Sequence, residues 1–236
     1  MSTVIGILGG MGPLATVDFV EKVIGLTPAR CDQEHLPLII HSVPQIPDRT
    51  ACLVDQQSSP LAAMARGIDT LAKSGVGAIV IPCNTAHHWY EPLSNDSPVP
   101  ILHIADACAQ SLTHDGVASV GLMATDGTLK AGFYPRKLSG HGVSVTLPEA
   151  ELQQQVMEGI YRVKAGQIET GGRILESCVE QLLEQGVERV ILACTEIPLA
   201  LDRINSPWRE QSVDATRALA SACVRWHQQQ TSLLVA

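Results

Sequence analysis

Residues 71–85, LAKSGVGAIVIPCNT, align without gaps on residues 182–196, LLEQGVERVILACTE. Leu71 falls on Leu182, Gly75 on Gly186, Val76 on Val187 and Cys83 on Cys194. An earlier pair of apolar runs corresponds as well: VIGIL (4–8) matches SVGLM (119–123), with Gly6 on Gly121. Gly6 precedes Cys83 by 77 residues, and Gly121 precedes Cys194 by 73. A strand, a turn glycine and a cysteine that recur in one order over a near-constant interval mean two copies of one folding unit. Whatever the first half folds into, the second half must fold into as well, and each carries a thiol at a strand end.

The unit itself is α/β. Short apolar runs at 3–8, 36–42, 77–81 and 99–103 predict strands, some buried on both faces. Polar stretches with helical spacing lie between them at about 14–26, 59–74 and 84–94. The second set of strands is 117–123, 143–147 and 187–193, and Leu152, Val156, Ile160 and Val163 recur at helical spacing before a stop at Gly166. Strand–helix alternation of this kind builds mainly parallel sheets covered by helices. The expected architecture is two similar three-layer α/β/α domains related by a pseudo-two-fold, with a site in the cleft between them. Such a relation places Cys83 and Cys194 on opposite sides of a bound molecule. A carbon centre held there can lose a proton to one face and regain one from the other, which needs no cofactor.

Composition narrows the partners. A net charge of −8, no cluster of Lys and Arg, and only two Phe, three Tyr and three Trp argue against nucleic acid. No apolar stretch nears the ~20 residues that span a bilayer. Met1–Thr3 runs straight into VIGIL, which does not read as a secretion signal. Seven cysteines at irregular spacing do not read as a disulfide framework, so a reducing cytoplasm is the expected location. Cys31, Cys52, Cys108, Cys178 and Cys223 are expected to be buried small hydrophobes. Cys83 and Cys194 differ, because each sits at a strand end with Thr within two residues. The start of a helix there would lower a thiol pKa toward neutrality, where a general base works best.

Other chemistries fit less well. Cys83 and His87 could share a helix face, but no second pair has zinc-site spacing, so no metal is expected and His87 and His88 read as surface or helix-face residues. GILGGMGPLAT (6–16) contains a formal G-x-G-x-x-A, yet the acidic partner of a dinucleotide site is poorly matched. The loop, with Met11 at its tip, reads better as backbone N–H groups approaching a small carboxylate. Arg49, in PQIPDRT between Pro-stiffened turns, is suited to hold a carboxylate or to pair with Asp48. Lys164, by its position alone, reads as a cation at a helix C-terminus.

The set GILGGMGPLAT, RCDQEH, PQIPDRT, PCNTAH, GIYRVKAG and ACTE resembles the cofactor-independent aspartate racemases of the aspartate/glutamate racemase superfamily, from Val4 to about Val213. The resemblance implies that Cys83 and Cys194 are the paired acid and base, Cys194 serving the L and Cys83 the D enantiomer. It implies that Arg49 and Lys164 hold the substrate's side-chain carboxylate, which replaces the helix-end reading of Lys164. Asn84, Thr85, Thr125 and Thr195 would lie near the α-carboxylate and amino group, with Met11 beside them. It further implies a homodimer, an N-terminal domain of residues 1–103 plus 210–236, and a second of 104–209. Glutamate racemases typically carry an Asp-Ser-Gly turn and a His after the second Cys-Thr, where this chain has Gly9-Gly10-Met11 and Glu196. The leading expectation is therefore interconversion of L- and D-aspartate without pyridoxal. Glutamate or broader racemisation, maleate-type isomerisation and non-catalytic binding of an acidic amino acid are the alternatives.

Overall fold

The computed structural model describes residues 2–235 and contains two four-stranded parallel sheets. The first unit runs β1 (Ile5–Gly9), α1 (Pro13–Leu26), β2 (Leu38–Ser42), α2 (Arg49–Asp55), α3 (Leu61–Lys73), β3 (Ala78–Val80), α4 (Tyr90–Asp96) and β4 (Ile101–Leu102). After α5 (Ile104–His114) come β5 (Ser119–Ala124), α6 (Asp126–Ala131), α7 (Phe133–Ser139), β6 (Ser144–Thr146), α8 (Ala150–Lys164) and α9 (Ile168–Glu184). The chain ends with β7 (Arg189–Ala193), α10 (Glu196–Arg203), β8 (Ser212–Asp214) and α11 (Ala215–Val235). The sheet orders are β2-β1-β3-β4 and β6-β5-β7-β8. The repeat seen in the sequence is thus a repeat of topology, with each cysteine following the third strand of its unit.

Strand alternation divides the core. In β1 and β3, Ile5, Ile7, Ala78 and Val80 face one way and Leu8 and Ile79 the other. In β5 and β7, Val120, Leu122, Ile191 and Ala193 join the first set, while Met123, Val190 and Leu192 turn outward. The first set meets residues of α1, α5 and α11 in a single apolar cluster, so a helical layer between the two sheets is common to both units. The outer faces are covered by α3 on one side and by α8, α9 and α10 on the other. Residues Met64, Gly67, Ile68 and Leu71 of α3 show the spacing that puts four buried positions on one face.

Three local features differ from expectation. Residues 85–89 form a 3-10 turn rather than the start of an α-helix, and α4 begins only at Tyr90. The strand β8 had no signal in the pattern; it is three residues long and pairs with β7 although it lies beyond residue 210. From there α11 turns back to pack on α1 and α5. Among the other cysteines, Cys108, Cys178 and Cys223 are buried as expected, but Cys31 is exposed and Cys52 half-buried. Among the described residues no helix is long and apolar enough to cross a membrane.

Candidate active site

The carboxyl ends of parallel strands leave backbone groups and turns pointing outward, and in open α/β sheets ligands bind there, at the switch point of the strand order. Here that point lies between β1 and β3, and its counterpart between β5 and β7. The two converge on one small void of about 20 Å³. Its lining includes Met11 after β1, Arg49 after β2, Cys83, Asn84 and Thr85 after β3, Thr125 after β5, Lys164 at the end of α8, and Cys194 and Thr195 after β7. All nine residues expected from sequence are brought together. Asp48, Thr50, Ala193 and Glu196 complete the lining. A void of this size has room for about one water. It adjoins a wider cleft of about 290 Å³ that shares Arg49, Lys164, Thr195 and Glu196. A larger cavity of about 670 Å³ beside Lys22 and Asp214 holds no thiol and no unpartnered buried polar group among its described lining residues.

The two thiols have unequal surroundings. Cys83 and Cys194 are equally buried, each 6% exposed. The Cys194 thiol donates to Glu196 Oε2 at 3.0 Å, and the Thr195 hydroxyl donates to the same oxygen at 2.9 Å. Burial, and after it the Glu196 carboxylate, push the Cys194 thiol well above its ordinary pKa, with Lys164 opposing. The expectation that a helix start would lower both thiols toward neutrality is therefore corrected for Cys194, because burial, and after it a carboxylate at contact, outweigh a helix terminus.

The cations are placed differently from each other. Arg49 opens α2 behind Asp48, whose carboxylate caps the helix by accepting from Ala51 N at 2.8 Å, so no Asp48–Arg49 pair forms. Its guanidinium donates to the carbonyls of Ile46, Pro47 and Met11 at 3.1–3.3 Å, while Nε stays buried without an acceptor among the described residues. Lys164 keeps part of its side chain in solvent and forms no ion pair among the described residues. Lost hydration opposes its charge, but Glu196 foremost, then Cys194, Asp48 and Cys83, raise its pKa on balance.

Hydroxyl and amide groups fill the floor. Thr85, Thr125 and Thr128 form a triangle of hydroxyls 2.8–3.1 Å apart, joining the two units. Thr125 also caps α6 through Thr128 N. Asn84, which lines the void, has its amide Nδ2 buried without an acceptor among the described residues, a second donor left free. The glycine-rich loop is more occupied than expected, because Gly10 N–H already donates to Thr16 Oγ1 at 2.9 Å. Glu196, Thr128 and Tyr134 were missed as site residues; only Glu196 had a signal, its place directly after Cys194-Thr195.

His87 corrects another expectation. It is 2% exposed, not a surface residue, and stands behind Cys83. Its Nε2 accepts from Ile104 N–H at 3.2 Å, so Nδ1 carries the proton and donates to the Cys83 carbonyl at 3.0 Å. Burial lowers its pKa to about 4. The unfolded chain takes this proton near pH 6.5, so between about 6.5 and 4 it holds more protons than the folded one, and stability falls as pH falls. A drop of about 2 kcal/mol between pH 7 and pH 5 is expected from His87 alone, and His103, lowered to about 2 chiefly by burial, acts in the same direction. Urea titrations at the two pH values check this; equal stabilities would contradict the buried neutral histidines. Among the described residues no group of three His, Cys, Asp or Glu could hold a metal ion.

Residues 8–223 match the family model described as Asp/Glu/Hydantoin racemase. The chain is 31% identical over 224 residues to the broad specificity amino-acid racemase RacX of Bacillus subtilis (strain 168), covering 93% of this chain and 96% of that one. It is 32% identical over 162 residues to a glutamate racemase of Cupriavidus pinatubonensis (strain JMP 134 / LMG 1197), covering 66% of this chain and 57% of that one. Among solved structures, Picrophilus torridus aspartate racemase superposes with a TM-score of 0.84 at 32% identity, covering 95% of this chain and 94% of that one.

Proposed function

Because the chain belongs to the Asp/Glu/hydantoin racemase family, we propose that it interconverts L- and D-aspartate by proton transfer between Cys83 and Cys194. The observation that carries this reading is the convergence of two thiols, from equivalent turns of a repeated unit, on a void lined by Arg49 and Asn84, each of which has a buried donor without a partner among the described residues, Nε and Nδ2. Unpartnered donors on residues that line a shared space suit a ligand with carboxylates, because an anion supplies the acceptors that burial withholds.

In this proposal one cysteine enters as thiolate and removes the α-proton, and the other, as thiol, delivers a proton to the opposite face. The Glu196 contact favours the protonated Cys194 thiol, the form that donates a proton. Arg49 and Lys164 hold the side-chain carboxylate. Asn84, Thr85, Thr125 and Thr195 surround the α-carboxylate and amino group. Donors on that carboxylate stabilise the charge that develops when the α-proton leaves, and water exclusion strengthens them. Both proton transfers are supplied by the thiol pair, so the proposal invokes no cofactor. A homodimer, and a division into residues 1–103 with 210–236 and 104–209, with β8 lent to the second sheet, belong to the same reading.

Racemisation of glutamate or of a wider set is the second reading, favoured by the likeness to RacX and to a glutamate racemase. One methylene of pocket depth separates the two acidic substrates, worth roughly 1–3 kcal/mol. The test is proton NMR of L-aspartate with the pure, reduced protein in D₂O, followed by chiral analysis of the sample. Loss of the α-proton signal with appearance of D-aspartate is expected. If neither occurs while glutamate or neutral amino acids racemise, the aspartate assignment gives way to the broader one. Maleate isomerisation, or binding without turnover, would sink the racemase assignment for this chain.

A further inference from the structure

We infer that Tyr134 is a positioning residue of the site: its phenol fixes the Asn84 amide so that the Nδ2 donor, rather than the Oδ1 acceptor, is turned toward the space between the two cysteines. Tyr134 lies on α7 in the second unit, and Asn84 follows β3 in the first. The phenol donates to Asn84 Oδ1 at 2.6 Å. That separation is normal for O–H···O and shorter than the usual N–H···O range, so the amide is held in this orientation and not the flipped one. The opposite end of the amide, Nδ2, has no partner among the described residues.

The phenol is itself held. Tyr134 is 1% exposed and packs against Phe133, with ring centroids 5.0 Å apart. Cys108 Sγ of α5 lies 3.8 Å from the phenol oxygen. Since the phenol proton is committed to Asn84, the thiol is the donor in that contact. Burial first, and then the neighbouring Cys108, raise the Tyr134 pKa, and burial raises Cys108 to about 12, so both keep their protons across the working range. The result is a one-way chain, Cys108 to Tyr134 to Asn84, that ends in a free donor. A flipped amide would present an acceptor to an anionic ligand and leave the phenol without one. The inference rests on the acidic-substrate reading only for its choice of probe.

The test uses Tyr134→Phe, which keeps the ring and removes the hydroxyl, alone and combined with Asn84→Ala. Binding is read without turnover, as protection of Cys83 from iodoacetamide by aspartate, followed on its peptide in a mass spectrometer; kcat and KM are read beside it. In the Asn84 background, Tyr134→Phe is expected to raise half-protecting aspartate and KM by about 5- to 20-fold and to lower kcat by less. In the Asn84→Ala background the same change should move them by less than twofold, the sign of action through Asn84. An equal factor in both backgrounds would make Tyr134 merely structural, and no change in the Asn84 background would remove the inference. If aspartate, glutamate and maleate all fail to protect the parent protein, the acidic-ligand reading falls. The Asn84 side-chain amide resonances in ¹⁵N spectra, identified by their loss in Asn84→Ala, then decide: movement on Tyr134→Phe upholds the inference, and unmoved signals overturn it.

Discussion

Cys194→Ala is expected to lower the racemisation rate by about three orders of magnitude or more, with the half-saturating aspartate concentration changed no more than a few-fold. Cys83→Ala is expected to do the same. A positioned acid or base contributes about 10²–10⁴-fold, and racemisation needs one on each face, so loss of either stops inversion altogether. Neither sulfur is required to hold the carboxylates, which is why binding should survive. The residual chemistry is informative. With one thiol left, the enantiomer presenting its α-proton to that side can still exchange in D₂O, but it is reprotonated from the same face and does not invert. Each variant should therefore exchange one enantiomer only, and opposite ones. Following α-proton loss from L- and D-aspartate separately, with chiral analysis, measures this directly. Inversion in either variant at near the parent rate would remove the two-thiol mechanism.

Gly10→Ala is expected to cost at least about 3 kcal/mol of folding stability. Gly10 has φ +92°, and a Cβ there would stand 2.5 Å from the backbone N and C of Val43 and 2.7 Å from Pro44 N. Those are main-chain atoms, with no flexible end to swing aside. The close approach ties the loop after β1 to the loop after β2, where Val43 N–H donates to Gly9 O at 3.1 Å and Arg49 reaches Met11 O at 3.2 Å. Pushing the loops apart should displace Arg49 as well as weaken the fold. Gly75→Ala is the comparison: φ is +81° there, but nothing lies within 4 Å of the added carbon, so about 1 kcal/mol is expected. Urea titration of the two variants separates close approach from dihedral strain. Equal losses would show that the contact with Val43 is without consequence.

Sequence pattern carried far in this chain because repetition is a local signal. Seven of the eight strands could be read from apolar runs bounded by turns, and Gly166, at φ +82°, ends α8 region as its position suggested. Strand β8 could not be read, since three residues make no pattern and only pairing with β7 defines it. Residues 84–94 had helical spacing, yet their first turn tightened to 3-10 because His87 reaches back to the Cys83 carbonyl.

The site divides in the same manner. A strand end carrying Cys-Asn-Thr or Cys-Thr-Glu is visible in one dimension, and the repeat placed the two on facing units. What each thiol experiences is not visible in that way. The Cys194 pKa follows from burial and from the rotamer that brings Glu196 to 3.0 Å. The orientation of Asn84 depends on a phenol 50 residues away, and the burial of His87 on the turn that carries it against α5. The sequence by itself determined the repeated unit and the two cysteine-bearing strand ends that meet between its copies, because periodicity and duplication are properties of the chain; the other residues around the void followed from resemblance to a family. Only the tertiary structure decided protonation, donor direction and the closeness of the void, because these depend on through-space distances of about 3 Å between segments that no spacing along the chain encodes.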